Sequence, residues 1–270
     1  ALKGLRKFLK DNRKITNIQG IHLEGPFINP KKLGAQPPFA QLPNHDFIKK
    51  LMKEAPIEIM TLAPELNNGI ELINFLVKNK IKPQIGHSLA NYKCCKLAMQ
   101  NGVESITHLY NAMTKFNHKK PGVIEAALNE LKFSEIICDL IHVDKEMIKL
   151  ASKNIKKLYS ITDSISASGM PDGEYKVGTN TIYKTNGIAR LNKDTLGGSV
   201  ITMDQTFKNL INIGFSIQEA IKMTSTNASD YLEKNDIGRI NKGSKANLVL
   251  LDNEFNLIGV YLNGNKVLQK

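Results

Sequence analysis

The stretch Ile21-His22-Leu23-Glu24-Gly25-Pro26-Phe27 decides the fold, because its design recurs three times further along the chain. In each case a short apolar run ends on one polar residue that can bind a metal ion or carry a proton. The later copies are Gln84-Ile85-Gly86-His87-Ser88, Ile106-Thr107-His108-Leu109 and Ser160-Ile161-Thr162-Asp163-Ser164. Functional side chains at the carboxyl ends of successive strands are typical of α/β barrels. The sequence therefore predicts a (β/α)8 TIM-like barrel with a metal site on its rim.

Strands and helices alternate through the first part of the chain, which indicates a parallel sheet covered by helices. An amphipathic helix is predicted over residues 1–14. Strands are predicted at residues 15–24, 57–63, 82–87, 104–108, 135–140 and 158–163. Helices are predicted at residues 47–54, 68–79, 91–101, 123–131 and 145–154. Because a closed barrel has eight strands, we expect two further units to precede Ala1.

The alternation stops after residue 173. A small β excursion is predicted at residues 174–191, with turns at 179–180 and 186–187. Two helices follow at residues 204–213 and 216–225, and Ser216 is the predicted N-cap of the second. Short strands are then predicted at 238–240, 246–251 and 258–263, with a hairpin turn at Asn263-Gly264. We therefore assign residues 1–235 to the barrel, incomplete at its N-terminus, and residues 236–270 to the C-terminal part of a small β-sandwich domain.

The composition argues against two classes of partner. The chain has 270 residues, of which 41% are hydrophobic and 23% charged, as in ordinary globular domains. No run of 18 apolar residues occurs, so neither a transmembrane helix nor a membrane partner is expected. The formal net charge is +12, but the lysines are spread evenly and no nucleic-acid-binding motif occurs, so no nucleic-acid partner is expected. Cys94, Cys95 and Cys138 match no disulfide or zinc pattern, which favours reduced thiols and a cytoplasmic location.

Glu24, His87 and His108 are the candidate metal ligands. One carboxylate and two imidazoles from three strand ends would leave a position open on a divalent ion for water and substrate. Zinc suits this set best, with iron, manganese or cobalt as alternatives. Taken alone, His87 is as compatible with a buried structural histidine, so the prediction depends on the three residues together.

Four other residues can be given provisional roles from their positions. Asp163 ends the sixth predicted strand, where a carboxylate can accept a proton from water and deliver it to a leaving amine; its alternative role is a helix N-cap. His142 follows a predicted strand and could contact substrate or lie on the surface near a helix start. His22 lies on the same strand face as Glu24 and could support it. Lys119 precedes a helix N-terminus, a position suited to a phosphate.

Several motifs occur in a fixed order from about residue 18 to the end of the chain. They are His22-Leu-Glu-Gly-Pro-Phe27, Gly86-His-Ser88, Thr107-His-Leu-Tyr-Asn-Ala-Met113, Lys120-Pro-Gly122, Thr162-Asp163, Leu196-Gly-Gly-Ser199 with Thr202-Met203, and Gly243-Ser-Lys-Ala-Asn-Leu-Val249. In this order they resemble the motifs of the N-acetylglucosamine-6-phosphate deacetylases, a family of the amidohydrolase superfamily. The run from Thr107 to Met113 is the most specific of them.

The resemblance implies a distorted (β/α)8 barrel beside a β-sandwich, a homodimer, and removal of acetate from N-acetylglucosamine 6-phosphate in amino-sugar catabolism. It implies metal ligation by Glu24, His87 and His108, and acid–base catalysis by Asp163. The substrate contacts that it implies come from Ala35, Gln36, Asn111, Ala112, Lys119, His142, Leu196, Gly197 and Gly198.

The chain departs from the family pattern at three points. Gln36 stands where some members have a histidine that polarises the amide carbonyl, and glutamine can donate a hydrogen bond but cannot be cationic. Lys119 stands where arginine is frequent, and lysine lacks the bidentate fork. The first barrel strand, which in some members carries a second-metal pair, is absent from this sequence, so one ion and two ions both stay open.

Two other functions stay open. One is a different amidohydrolase reaction, such as opening a cyclic amide or deaminating a base. Relatives of that kind usually have a His-x-His pair and a bridging lysine, and no lysine ends a predicted strand here. The other is an inactive sugar-phosphate-binding barrel, against which the retention of all four candidate catalytic residues argues.

Overall fold

The structure is a computed structural model that describes residues 2–11 and 18–269. It opens with helix α1 (Leu2–Asp11), within the span predicted for the first helix. Residues 1 and 12–14 of that prediction, and residues 15–17 of the first predicted strand, lie outside the described part. Within the described ranges, no helix combines the length and the apolar character that crossing a bilayer requires.

Six parallel strands form the curved wall of an α/β barrel, and all six were predicted from the sequence. The first four are hydrogen-bonded side by side in chain order, and the fifth pairs with the sixth. The two groups meet where the backbone N–H of Leu109 donates to the carbonyl of Glu135 at 2.9 Å. The strands are β1 (Ile21–Glu24), β2 (Ile57–Leu62), β3 (Lys82–Ile85), β4 (Ser105–Ile106), β5 (Phe133–Ile137) and β6 (Lys157–Ile161).

Several strands end before the polar residue on which the prediction ended them. At His87, His108 and Asp163 the φ angles are +49°, +35° and +48°, so the backbone has already left the extended conformation. The predicted fifth strand, 135–140, is displaced for a related reason: β5 stops at Ile137 and Asp139 begins a turn.

Helices α2 to α6 cover the outside of the sheet. Three of them begin where a side chain accepts a hydrogen bond from the first turn, namely at Asn44, Asn91 and Asp144. Their apolar faces are buried against the strands, as the fully buried Leu72 and Leu76 show. The helices are α2 (His45–Met52), α3 (Gly69–Lys78), α4 (Tyr92–Gln100), α5 (Val123–Glu130) and α6 (Lys145–Asn154).

A layer of the barrel interior is polar. The strand register places Thr61, Gln84 and Ser105 beside one another. Buried polar groups are costly unless they are hydrogen-bonded, and here they are joined in a chain. The chain runs from His22 to Thr61 (2.7 Å), Thr107 (2.7 Å), Gln84 (2.7 Å), Tyr159 (3.0 Å) and Glu135 (3.3 Å).

After β6 the chain forms an antiparallel sheet of β7 (Gly173–Val177), β8 (Asn180–Thr185) and β9 (Ile188–Arg190), which confirms the predicted excursion. Its first turn lies at residues 178–179, one residue earlier than predicted, and its second at 186–187 as predicted.

Helical structure returns with α7 (Met203–Asn212) and α8 (Ile217–Ile221). Ser216 caps α8 as predicted, with Oγ accepting from the N–H of Glu219. The predicted 216–225 helix is too short, because α8 continues through a π-helical turn (Lys222–Thr226) into α9 (Asn227–Tyr231).

The last part of the described chain is a three-stranded antiparallel sheet in the order β10 (Leu248–Leu251), β11 (Leu257–Leu262), β12 (Asn265–Gln269). Phe255 joins it to the barrel through an edge contact with Phe207, at 5.7 Å between ring centroids. The predicted strand at 238–240 is wrong. That segment packs on α9 instead, where Arg239 forms an ion pair with Asp230.

Candidate active site

A cavity of about 310 Å³ lies at the carboxyl ends of the strands. It gathers every residue predicted to bind metal, to bind substrate or to act in catalysis, except Lys119. From the predicted set, its lining contains Glu24, Ala35, Gln36, His87, His108, Asn111, Ala112, His142, Asp163, Leu196, Gly197 and Gly198.

The three candidate metal ligands converge on one point. Oε1 of Glu24 lies 2.5 Å from Nε2 of His87 and 3.6 Å from Nε2 of His108. The two imidazole nitrogens lie 3.1 Å from each other. One ligand atom from each residue falls within 4.8 Å of the others, which is close enough for one ion to bind all three.

Hydrogen bonds orient two of these ligands. Nδ1 of His87 lies 2.7 Å from the carbonyl oxygen of Lys32, so this nitrogen is the donor and Nε2 is the nitrogen that faces the centre. A ligating histidine usually has such a partner on its other nitrogen. The amide of Gln36 donates to Oε1 of Glu24 at 2.9 Å. These contacts fix the carboxylate and one imidazole before any ion binds.

The electrostatics of the three residues also suit a cation. Burial tends to raise the pKa of Glu24, but hydrogen bonds from His108 and His87 hold it well below its ordinary value. Burial tends to lower the pKa of His108, but the bond to Glu24 and the nearby negative charges raise it to about 9. Two imidazole nitrogens at 3.1 Å repel each other unless a proton or a cation lies between them. The residues present therefore fit a divalent metal ion.

Asp163 lies in the same cavity, partly buried. Burial raises the pKa of its carboxyl group, and the negative charges of Glu24 and Glu135 act in the same direction, while His108 and His142 oppose them. Its carbonyl accepts from the N–H of Ser199 at 2.9 Å. That bond holds the turn from Leu196 to Gly198 against Asp163.

Gly198 is required at this turn. Its φ is +98°, a conformation that favours glycine. A Cβ there would lie 2.7 Å from Cγ2 of Ile165 and 3.1 Å from the carbonyl oxygen of Asp163. The Gly-Gly pair therefore allows the turn to approach the candidate acid–base residue.

His142 reaches the cavity from the turn after β5. Its Nδ1 lies 2.6 Å from Oδ2 of Asp139. Burial tends to raise the pKa of Asp139, but hydrogen bonding to His142 and to backbone amides lowers it. Asp139 is thus an ionised partner of His142.

Two residues singled out in the sequence lie elsewhere. His22 contacts Thr61 and lies 3.5 Å from Glu135, so it belongs to the polar chain inside the barrel rather than to the surroundings of Glu24. Lys119 is exposed in a loop outside the cavity, and its backbone N–H donates to the side chain of Asn117.

Other cavity residues were not identified from the sequence. Asp194 and Thr195 directly precede the Leu-Gly-Gly motif, and this adjacency is the signal that could have found them. Val177 lies on the β7–β8 hairpin, and no motif next to it in the sequence indicates that it reaches the cavity. Asn180 on that hairpin donates to the carbonyl of Ala35 at 2.9 Å and so ties the hairpin to the loop after β1. The additional lining residues are Gly34, Ile165, Val177, Asp194 and Thr195.

The sequence matches the amidohydrolase family over residues 7–267. It is 35% identical over 243 residues to the N-acetylglucosamine-6-phosphate deacetylase of Lysinibacillus sphaericus, and 37% identical over 256 residues to that of Bacillus subtilis (strain 168). These matches cover 87% and 92% of this chain, but 62% and 65% of the relatives. The chain thus spans less than two thirds of the length of these curated relatives.

The fold is also similar to a solved structure, a mutant N-acetyl-D-glucosamine-6-phosphate deacetylase of Mycobacterium smegmatis in complex with N-acetyl-D-glucosamine-6-phosphate. The TM-score is 0.91 at 28% sequence identity, and the match covers 98% of this chain and 71% of that one. These similarities confirm the predicted fold class, an α/β barrel of the amidohydrolase type.

Proposed function

The chain belongs to the amidohydrolase family, and from this membership we propose that it removes the N-acetyl group of N-acetylglucosamine 6-phosphate. The products are acetate and glucosamine 6-phosphate, and the reaction belongs to amino-sugar catabolism or recycling. The observation that carries the proposal is the convergence of Glu24, His87, His108 and Asp163 in one cavity. The named activity of the relatives supports the choice of substrate.

Glu24, His87 and His108 would hold the metal ion, with zinc favoured by two imidazoles and one carboxylate. A divalent ion bound there would lower the pKa of a water molecule and polarise the acetyl carbonyl. The number of ions is open between one and two. The bond from His87 to the Lys32 carbonyl and the bond from Gln36 to Glu24 keep the ligands oriented during turnover.

Asp163 is the proposed acid–base residue. Its carboxylate accepts a proton from the attacking water and then delivers that proton to the glucosamine nitrogen as the C–N bond breaks. Burial raises the pKa of this carboxyl group, which makes it better able to hold the proton between the two steps.

Gln36 and His142 are the proposed donors to the oxyanion that forms on the acetyl carbonyl. One N–H of the Gln36 amide is used on Glu24, and the second stays available. Donors fixed before the reaction are the effective ones. Asn111, Ala112 and the Leu196–Gly198 turn line the remaining wall, where sugar hydroxyls would bind.

Ala35 and Lys119 complete the proposed substrate contacts. Ala35 lines the cavity at the loop after β1. Lys119 lies outside the cavity of its own chain and is proposed as a phosphate contact from its position before a helix N-terminus and from the resemblance. The cavity volume of about 310 Å³ is at the lower end of the range for small-molecule sites, which suits a monosaccharide phosphate.

The two rival functions fit less well. Cyclic amidases and deaminases of this superfamily are expected to use a lysine in the site, and among the described residues no lysine lines the cavity. An inactive binding barrel would have no need to keep the metal ligands and Asp163 together.

Assembly, location and domain division are proposed as well. We propose a homodimer from the family resemblance. A cytoplasmic location is supported by the free thiols of Cys94, Cys95 and Cys138. The boundary between a barrel (1–235) and part of a β-sandwich (236–270) is supported by the separate antiparallel sheet that β10, β11 and β12 form after residue 236.

The deciding experiment measures acetate release by this chain from N-acetylglucosamine 6-phosphate. We expect release that stops with a chelator and returns with added Zn²⁺, and much slower release from N-acetylglucosamine. Equal rates on both sugars would reject the phosphate preference and leave the hydrolase assignment. Release that is insensitive to chelator would reject the metal site.

A further inference from the structure

Asp139 and His142 form a buried pair beside the cavity, apart from the metal ligands and Asp163. Their side chains are 6% and 7% exposed, and Oδ2 of Asp139 lies 2.6 Å from Nδ1 of His142. His142 lines the cavity and Asp139 does not. Asp139 can therefore affect a bound molecule only through the imidazole.

The carboxylate of Asp139 is itself held in place. Its Oδ1 accepts from the backbone N–H groups of Ile141 at 2.9 Å and His142 at 2.8 Å. An ionised carboxylate only accepts hydrogen bonds, so Nδ1 of His142 has to be the donor. Nε2 is then the one nitrogen of the ring that can form a hydrogen bond with a molecule in the cavity.

The charge of the pair matters as well. Among the described residues that line the cavity, His142 is the one side chain besides His87 and His108 that can become cationic. A carboxylate in direct contact compensates a positive charge on the imidazole. The pair can therefore present an N–H donor with positive charge to a substrate oxygen without leaving a buried charge unpaired.

We propose that Asp139 is a positioning residue that fixes the orientation and proton arrangement of His142, with Nδ1–H on Asp139 and Nε2 directed to the substrate. This rests on the proposed function, in which His142 donates to the oxyanion that forms on the acetyl carbonyl. The role is distinct from a packing role, because it depends on which imidazole nitrogen carries the proton.

The substitution Asp139→Asn reverses that arrangement without changing the size of the side chain. The asparagine oxygen is retained by the two backbone N–H groups, so its NH₂ group faces Nδ1 of His142. A donor at that position forces Nδ1 to accept, and the proton moves to Nε2. In the substituted chain, Nε2 of His142 can still donate from a neutral ring. Asparagine carries no negative charge, however, so it no longer compensates a positive charge on the imidazole.

The first measurement is ¹⁵N NMR of the histidine side chains in the substrate-free chain, with His142 assigned by its loss in His142→Asn. In the unsubstituted chain we expect the neutral ring of His142 to carry its proton on Nδ1. In Asp139→Asn we expect it on Nε2. The Nε2–H form in the unsubstituted chain would overturn the proposal, even if Asp139→Asn failed to fold.

The second measurement is a kinetic double-mutant cycle on N-acetylglucosamine 6-phosphate. A hydrogen bond from a charged donor is stronger than one from a neutral donor, and His142 is proposed to donate to the oxyanion that forms during the reaction. Asp139→Asn should therefore lower kcat about tenfold with KM changed less than about threefold. In the His142→Asn background the same substitution should have no further effect. An equal effect in both backgrounds would show a merely structural role and overturn the proposal.

Asp144→Asn is the matched control. Asp144 lies two residues after His142 and caps α6 by accepting from the N–H of Glu146. We expect the unfolding temperature to change little, because asparagine caps a helix about as well as aspartate, and we expect the His142 proton to stay on Nδ1 and kcat to stay unchanged. If the unsubstituted chain released no acetate, the proposed function would fail, whereas the NMR result would still decide the arrangement of the pair.

Discussion

Nε2 of His87 and Nε2 of His108 lie 3.1 Å apart, and Oε1 of Glu24 lies 2.5 Å from the first of them. Two imidazole nitrogens that face each other at this distance need a positive charge between them. In the chain without metal that charge is a proton, since the pKa of His108 is raised to about 9. A divalent ion would replace the proton, so the binding of metal and the binding of protons are opposed at this site.

Removing one of these imidazoles should abolish metal binding. His108→Asn leaves two ligand atoms, which are too few for tight binding of zinc. Equilibrium dialysis against Zn²⁺, followed by metal analysis, should show about one equivalent lost relative to the unsubstituted chain. His118→Asn, at an exposed histidine, should retain full metal content. Normal metal content in His108→Asn would remove His108 from the ligand set.

Replacing Asp163 should separate metal binding from catalysis. Asp163→Asn removes the proton acceptor but none of the three ligand atoms. We expect acetate release to fall by about 10²- to 10⁴-fold, the usual contribution of acid–base catalysis, with metal content unchanged. An Asp163→Asn chain that works at near-normal rates would exclude Asp163 from the mechanism.

At neutral pH, Asp163 should also lower the free energy of unfolding of the metal-free chain. Its folded pKa is raised by burial and by neighbouring carboxylates, so the folded state binds the proton more tightly than the unfolded state. Stability is therefore greatest where the group is protonated and falls as the pH rises through the raised pKa. With chelator present, Asp163→Asn should raise the free energy of unfolding at pH 7, and the gain should shrink as the pH falls towards 4.

Urea unfolding at a series of pH values tests this expectation. Glu174→Gln is the control, because Glu174 is exposed on β7 and its replacement should leave the free energy of unfolding nearly unchanged. A loss of stability in Asp163→Asn at pH 7 would contradict the predicted direction.

The strand ends and their polar residues could be predicted because each one stands in a local sequence signal. An apolar run followed by a histidine or a carboxylate marks both a strand and its end, and this located Glu24, His87, His108 and Asp163. What depends on distant parts of the chain could not be predicted. Nothing in the local sequence shows that Asn180 would reach the Ala35 carbonyl.

The error at residues 238–240 has the same origin. These residues were predicted as a strand, but the ion pair of Arg239 with Asp230 holds them on α9. A contact made in three dimensions here outweighs the local preference.

The last prediction concerns the turn that approaches Asp163. Gly198→Ala combines an unfavourable φ of +98° with a Cβ placed 2.7 Å from Ile165. We expect the turn to move away from Asp163, with a loss of stability of about 1–3 kcal/mol from the backbone strain alone and a further loss from the contact. Acetate release should fall as well, because the same turn lines the cavity.

Gly187→Ala separates the two contributions. Gly187 has a φ of +74°, and no heavy atom lies within 4 Å of a Cβ built there, so this change carries strain without a clash. Thermal unfolding and acetate release of the two variants should be compared. Gly187→Ala should lose stability but keep its activity, since the turn at 186–187 lies away from the cavity lining. If Gly198→Ala lost no more activity than Gly187→Ala, close approach of the Gly-Gly turn to Asp163 would not be needed for the reaction.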